Sequence, residues 1–174
     1  FEARRTDILV GTQMITKGFD FAGVSLVGIL NADNLLNNPD FRAAERAFQL
    51  MMQVAGRAGR RDDGGEVVIQ TSEPGHPVIR QVAAGDFEGM ARAQLAERKA
   101  FFYPPYARLT SLTLRHRDPS VLRNGVMDLA ARLRTRFGRR LLGPMTPPVD
   151  RIREEYITEF LLKIESGASA SRAR

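Results

Sequence analysis

The hydrophobic pattern divides the chain in two. In the first half, apolar residues come in short, nearly continuous runs: Ile8-Leu9-Val10, Leu26-Val27-Gly28-Ile29-Leu30 and Val67-Val68-Ile69. Each run is bounded by Gly or polar residues, which predicts buried strands over 7–13, 25–30 and 66–71. Runs that do not alternate fit a parallel sheet covered on both faces. Between the second and third runs, Asn37-Asn38-Pro39-Asp40 signals a turn and a helix start. Phe41, Ala44, Phe48, Met51 and Ala55 then follow at spacings of three and four. They predict an amphipathic helix of about four turns, with Met51 and Met52 as core filler. Strand, loop, strand, helix, strand is an α/β layout.

Ser72-Glu73-Pro74-Gly75-His76-Pro77 punctuates the chain, and 78–99 reads as helical with one break at Gly85 and Asp86. Phe101-Phe102-Tyr103-Pro104-Pro105-Tyr106 reads as a rigid aromatic-proline hinge. Beyond it, 108–117 alternates as a strand, with Leu109, Leu112 and Leu114 apolar. Residues 119–137 read as a helix whose broad face holds Val121, Leu122, Val126, Leu129, Ala130 and Leu133. Leu141-Leu142-Gly143-Pro144 is a short strand ended by a turn, and 157–164 is a last strand, with Phe160 in it and Tyr156 at its start read as core or edge residues. This β-α-β-β order predicts a small α+β domain with one helical layer on an antiparallel or mixed sheet. The expected division is an α/β segment over 1–85, a helical linker and hinge over 86–106, and a basic α+β domain over 107–174.

Composition narrows the picture. With 174 residues, 43% of them hydrophobic, the chain can form one medium domain or two small ones. There is no cysteine, which excludes disulfides and thiolate metal sites. His76 and His116 stand too far apart to suggest a metal centre. No apolar run reaches the roughly 18–20 residues that span a bilayer, and no charged-then-apolar leader is visible. A cytoplasmic protein without a membrane partner is expected. The chain starts at Phe1 rather than Met and ends in Ser169-Ala170-Ser171-Arg172-Ala173-Arg174, so an excised fragment is expected.

Charge is uneven. Residues 1–85 carry 9 Lys/Arg against 10 Asp/Glu, and residues 86–174 carry 17 against 10; 23 of the 26 basic residues are Arg. The planar fork of Arg suits phosphate. A basic second half fits a polyanionic partner, and it equally fits a solvated basic surface.

Two segments bear on chemistry. Gln53-Val54-Ala55-Gly56-Arg57-Ala58-Gly59-Arg60 closes the amphipathic helix. Its arginines, three apart, lie on one helical face or a tight helix end, and the glycines permit close approach of a ligand or backbone. Phosphoryl transfer needs cationic donors aimed at the charge that develops on the γ-phosphate. Such a pair meets that need across a cleft; a capped surface helix end carrying ordinary Arg is the plainer reading. Upstream, Thr12, Gln13, Lys17, Gly18 and Asp20 follow a strand end, where Gly18 suits a left-handed turn. Alone, that loop is an ordinary connection.

Together the two segments resemble motifs V and VI of superfamily 2 helicases. Gly11-Thr12-Gln13-Met14, Lys17-Gly18, Asp20-Phe21, Asp40-Phe41-Arg42-Ala43-Ala44-Glu45-Arg46, Gly65-Glu66-Val67-Val68-Ile69-Gln70-Thr71, Tyr103-Pro104-Pro105-Tyr106 and Leu142-Gly143-Pro144 narrow this to the primosomal replication-restart helicase family. The resemblance covers nearly the whole chain. It implies part of a RecA-like second motor lobe followed by a small C-terminal domain similar in fold to a ribosomal protein. It further implies that Arg57 and Arg60 reach the γ-phosphate of ATP bound with Mg²⁺ on another lobe, Arg60 as arginine finger. Gln53 would couple that site to DNA. Thr12, Gln13 and Lys17 would lie along single-stranded DNA, and Gly18 and Asp20 would link the DNA face to the nucleotide cleft.

The same resemblance implies forked and single-stranded DNA, a single-strand-binding protein and primosome-loading proteins as partners, and translocation from 3′ to 5′. Arg108, Arg115, Arg117, Arg139, Arg140, Arg151 and Arg153 are the DNA-contact candidates of the second half. The aromatics of the hinge are expected to pack a domain junction; stacking on unpaired bases is the alternative.

The sequence also departs from the family. It has no Gly-Lys-Ser/Thr phosphate loop, no acidic Mg²⁺ motif and none of the family's zinc-binding cysteines. Zinc, ATP and Mg²⁺ are therefore expected only in the complete helicase, and this chain alone is expected to be inactive. A truncated lobe would expose a sheet edge, so association through that edge is expected. Two other readings stand beside this one. The segment 24–33 also resembles excision-repair helicase-like damage verifiers, against which the Tyr-Pro-Pro-Tyr hinge and the basic tail argue. A non-catalytic DNA- or protein-binding module is the other.

Overall fold

The computed structural model describes residues 6–12, 24–58 and 64–167. The chain separates into two compact units, residues 1–96 and 97–174.

In the first unit, β1 (Leu26–Ile29) pairs in parallel with β2 (Glu66–Ile69), with Val27 opposite Val67 and Ile29 opposite Ile69. Parallel strands need a crossover, and helices α1 (Asp33–Leu36) and α2 (Ala43–Ala55) lie within it. The turn before α2 is built by side chains. Asn38 Oδ1 accepts from Asp40 N at 3.0 Å, and Asp40 Oδ1 accepts from Arg42 N at 3.0 Å. Asp40 also pairs with Arg46 at 2.7 Å.

Helix α3 (Pro77–Ala84) starts with Pro in its first turn and His76 as N-cap, whose Nδ1 accepts from Val78 N at 3.2 Å. It stops at Gly85, left-handed with φ +63°. Asp86 then starts α4 (Phe87–Ala100), its Oδ1 accepting from Gly89 N at 2.8 Å. The predicted break thus falls between two capped helices. The core of this unit joins Ala32, Ala47, Phe48, Met51, Val78, Ile79, Val82 and Met90.

Three expectations change here. Residues 6–12 form no strand, and Ile8 and Val10 are each 80% exposed. An apolar run marks a tendency to be buried, but a strand also needs a neighbour to complete its hydrogen bonds, and no described residue pairs with this run. Secondly, β1 and β2 each alternate exposed and half-buried positions, so among the described residues their sheet is covered on one face only. Thirdly, the inward face of α2 is Ala43, Ala47, Phe48 and Met51; Phe41 precedes the helix, and Ala44 and Ala55 are half-buried flanks.

In the second unit, β3 (Ala107–His116), β6 (Glu155–Glu165) and β4 (Leu141–Met145) form an antiparallel sheet in the order β3-β6-β4, and the short β5 (Arg151–Ile152) hairpins onto the start of β6. Helix α5 (Pro119–Phe137) begins on Asp118, which accepts from Ser120 N at 2.7 Å. It buries Leu122, Val126 and Ala130 against Leu141, Phe160 and Leu162. Phe160 is fully buried. The segment 138–140 is a 3₁₀ turn between α5 and β4. Gly143 has φ +105°, and a Cβ there would stand 2.8 Å from the Glu159 carbonyl oxygen. Glycine is therefore required where the register of β4 shifts.

Candidate functional site

Helix α2 carries the arginine segment to its end. Packing of Ala47, Phe48 and Met51 fixes the helix. Beyond Ala55 the backbone tightens, with Gly56 N donating to Met52 O at 3.0 Å, Arg57 N to Val54 O at 3.0 Å and Ala58 N to Ala55 O at 3.1 Å. Gln53 is exposed and Arg57 half-buried, one helical turn apart on a rigid support. A guanidinium so placed suits an anionic oxygen. Thr12 is exposed. Gln13, Lys17, Gly18, Asp20 and Arg60 lie outside the described residues.

Sequence reasoning missed a polar cluster beyond the carboxyl ends of β1 and β2, the end of a parallel sheet where ligands usually bind. Asn31, Asp33, Gln70, Thr71 and Ser72 line a shallow depression of about 430 Å³. The Asp33 carboxylate accepts from Thr71 Oγ1, from Ser72 Oγ at 2.6 Å and from Ser72 N at 2.9 Å. These bonds, that of the Ser72 side chain foremost, hold its pKa below the ordinary value of 3.8. Ala32 N also donates to Gln70 O at 3.0 Å, and Asn31 N to Gln70 Oε1 at 3.2 Å. The cluster is a latch between the two strand exits and the segment leading to α2. With its lone pairs engaged and its proton held off, Asp33 is poorly suited to proton transfer.

The arginines of the second unit fall into two kinds. Arg140 pairs with Glu165 at 2.8 Å, and Arg151 lies over the Tyr156 ring at 5.1 Å. Arg108 is also engaged. By contrast Arg115, Arg117, Arg139 and Arg153 are exposed and have no side-chain partner among the described residues. Register brings three of these four towards one end of the sheet: Arg115 lies opposite Ile157, Arg117 follows the end of β3, and Arg153 sits in the β5–β6 turn at φ +49°. Arg139 stands in the 3₁₀ turn instead.

Among the described residues no helix is long and apolar enough to cross a membrane, and no group of three or more His, Cys, Asp or Glu is placed to hold a metal ion.

Two family models match separate parts of the chain. Residues 1–62 match the helicase conserved C-terminal domain, and residues 99–174 match the primosomal protein N C-terminal domain. The fold is thus that of a RecA-like second helicase lobe, in part, followed by a primosomal C-terminal domain. Among curated proteins, the replication restart protein PriA of Bacillus subtilis (strain 168) is 39% identical over 173 residues, 98% of this chain and 22% of its own length. That of Treponema pallidum (strain Nichols) is 43% identical over 168 residues, 95% of this chain and 26% of its own length. That of Synechocystis sp. is 39% identical over 168 residues, 95% and 20% respectively. The chain belongs to the PriA replication restart family and spans about a quarter or less of the length of these relatives.

Proposed function

We propose that this chain is the part of an ATP-dependent DNA helicase, acting at stalled or branched replication forks, that supplies the arginine pair, the DNA-coupling loop and a DNA-binding domain. The observation that carries the reading is the pairing on one chain of Gln53 and Arg57, at the end of a packed helix, with an arginine-rich second unit in which Arg115, Arg117, Arg139 and Arg153 are exposed without a side-chain partner among the described residues.

The residues fit ATP as one wall of a shared site. Arg57 is half-exposed on a rigid helix end, and with Arg60 it would hold the γ-phosphate. Bound with Mg²⁺, ATP would supply the free energy of hydrolysis. Arg57 and Arg60 favour the closed arrangement of two lobes while that charge is present, and Gln53 relays closure to the loop of Thr12, Gln13, Lys17, Gly18 and Asp20. That loop grips the DNA backbone, and repeated closure becomes movement from 3′ to 5′. No phosphate loop stands in this sequence, so the chain alone hydrolyses no ATP. Zinc is not assigned to these residues, since the chain has no cysteine. A single-strand-binding protein and primosome-loading proteins are the proposed partners of the complete helicase.

The test is fluorescence anisotropy of this chain with forked, single-stranded and duplex DNA at two salt concentrations, with an ATP analogue alongside. Salt-sensitive binding that favours the fork, without nucleotide binding, is expected. Absence of DNA binding would overturn the assignment of the second unit and leave it a protein-docking surface.

A further inference from the structure

The turn from α4 to β3 holds four aromatic residues in two different settings. Tyr103 and Tyr106 are half-buried in their own unit. Phe101 and Phe102 are 63% and 54% exposed. Backbone bonds fix the turn: Phe101 N donates to Glu97 O at 3.0 Å, and Tyr103 N to Arg98 O at 2.8 Å. Lys163 of β6 braces it, donating from Nζ to the Phe101 carbonyl at 2.8 Å and lying 3.7 Å from the centre of the Tyr103 ring. Ser166 Oγ donates to the Tyr106 carbonyl at 3.1 Å. Phe102 has φ +54°, in the left-handed region that bulky residues rarely adopt. Such strain persists only where its surroundings impose it, and it gathers at functional positions. Two adjacent rings are therefore displayed to solvent on a braced backbone.

Their position in the sheet matters. Lys163 is opposite Leu109 in the β3–β6 register, and Arg115 is opposite Ile157. These pairs share the sheet face that α5 does not cover, since Leu112, Leu114, Phe160 and Leu162 alternate onto the α5 side. Leu109 and Arg115 lie six positions apart, about 20 Å along the strand. Exposed Ser111 and Thr113 lie between them. Glu159 is on this face as well and accepts from Thr113 Oγ1 at 3.4 Å. This face thus runs from the aromatic turn that Lys163 braces at one end to the exposed Arg115 at the other. Single-strand grooves combine these two elements, stacking for bases and cations for phosphates, with site sizes of about 4–16 nucleotides.

We infer that Phe101 and Phe102 form a stacking platform for the unpaired bases of single-stranded DNA whose phosphates lie towards Arg115. The inference rests on the DNA-binding reading above and deepens it. The unit's excess of cations, 16 Lys/Arg against 8 Asp/Glu over residues 97–174, favours a nucleic acid over an apolar protein surface as the occupant.

The experiment compares this chain and its Phe101→Ala/Phe102→Ala variant on oligothymidylate and on a strand of equal length whose residues are abasic. The wild type should bind the base-bearing strand about 10-fold more tightly. The alanine variant should lose that preference while its affinity for the abasic strand is unchanged. Phe101→Leu/Phe102→Leu keeps apolar bulk and should lose most of the preference too, which separates stacking from packing. If the wild type binds both strands equally, or the variants lose affinity equally on both, the platform is disproved while phosphate binding survives. If the variants bind both strands like the wild type, the pair is a protein contact. Binding to neither strand overturns both readings.

Discussion

Arg140 Nη2 lies 2.8 Å from Glu165 Oε1, and Arg140 Nε donates to the same oxygen at 2.9 Å. Its sequence neighbour Arg139 has no such partner among the described residues. Two adjacent arginines, identical by composition, therefore differ in what they offer a phosphate. An exposed ion pair contributes only about 0–1 kcal/mol to stability, but it neutralises the charge that a polyanion would otherwise meet. Arg139→Ala should lower the slope of log K against log salt by about one. Arg140→Ala should lower it by less, and Glu165→Gln should tighten binding. Anisotropy titrations over a salt series check this; equal slopes for the two alanine variants would remove the distinction.

The arginine at the end of α2 makes a kinetic prediction. In the intact helicase, Arg57→Ala and Arg60→Ala should each reduce DNA-stimulated ATP hydrolysis, Arg60→Ala by about 10³-fold or more. DNA affinity without nucleotide should be unchanged, because neither group is assigned to the DNA track. A phosphate-release assay beside a binding titration reads both quantities. Hydrolysis persisting in Arg60→Ala would refute the finger assignment.

Why some of this was legible and some was not follows from how far apart the interacting residues lie. The α3–α4 break was readable because Gly85 and Asp86 carry local geometry: a left-handed stop, then a cap three residues ahead. Helix α5 was readable over its full length from Asp118, Pro119 and the apolar spacing. The Asp33 latch was not, since its partners Thr71 and Ser72 lie 38 and 39 positions away. Nor was the sorting of the arginines, which depends on Glu165, 25 positions beyond Arg140. The four-residue α1 is too short to carry a period. The hinge aromatics were expected to pack a domain junction, with stacking on bases as the alternative; aromatic content indicates apolar area but not which way each ring turns, and Phe101 and Phe102 are exposed.

Packing of the second unit sets a stability scale. Phe160→Ala should cost about 3–5 kcal/mol, because the ring is fully enclosed. Asp118→Ala should cost about 1 kcal/mol through loss of the α5 cap. Gly143→Ala should cost more than the cap, since it combines a positive φ with a backbone contact too close to relax cheaply. Urea titrations followed by circular dichroism would rank the three. A Gly143→Ala protein as stable as wild type would show that the bulge can repack.

The Asp33 latch makes acid sensitivity predictable in sign. The pKa of Asp33 is lowered in the folded chain by its hydrogen bonds, first that of the Ser72 side chain. The unfolded chain therefore binds the proton more readily. Asp33 contributes stability fully above its unfolded pKa of about 3.8, and that contribution falls away as pH drops through the lower folded value. Glu165 is lowered too, by its own backbone N–H first and by Arg140 second, and acts in the same direction. The wild type should thus lose stability progressively as pH falls below about 4. Asp33→Asn should be less stable at neutral pH, because an amide cannot accept all three bonds as the carboxylate does. It should also show a shallower decline in acid. Thermal melts of both proteins across this range, with Glu165→Gln as a second reference, measure the two slopes. Parallel declines would mean that Asp33 keeps its ordinary pKa in the folded chain and that the latch contributes no charge-dependent stability.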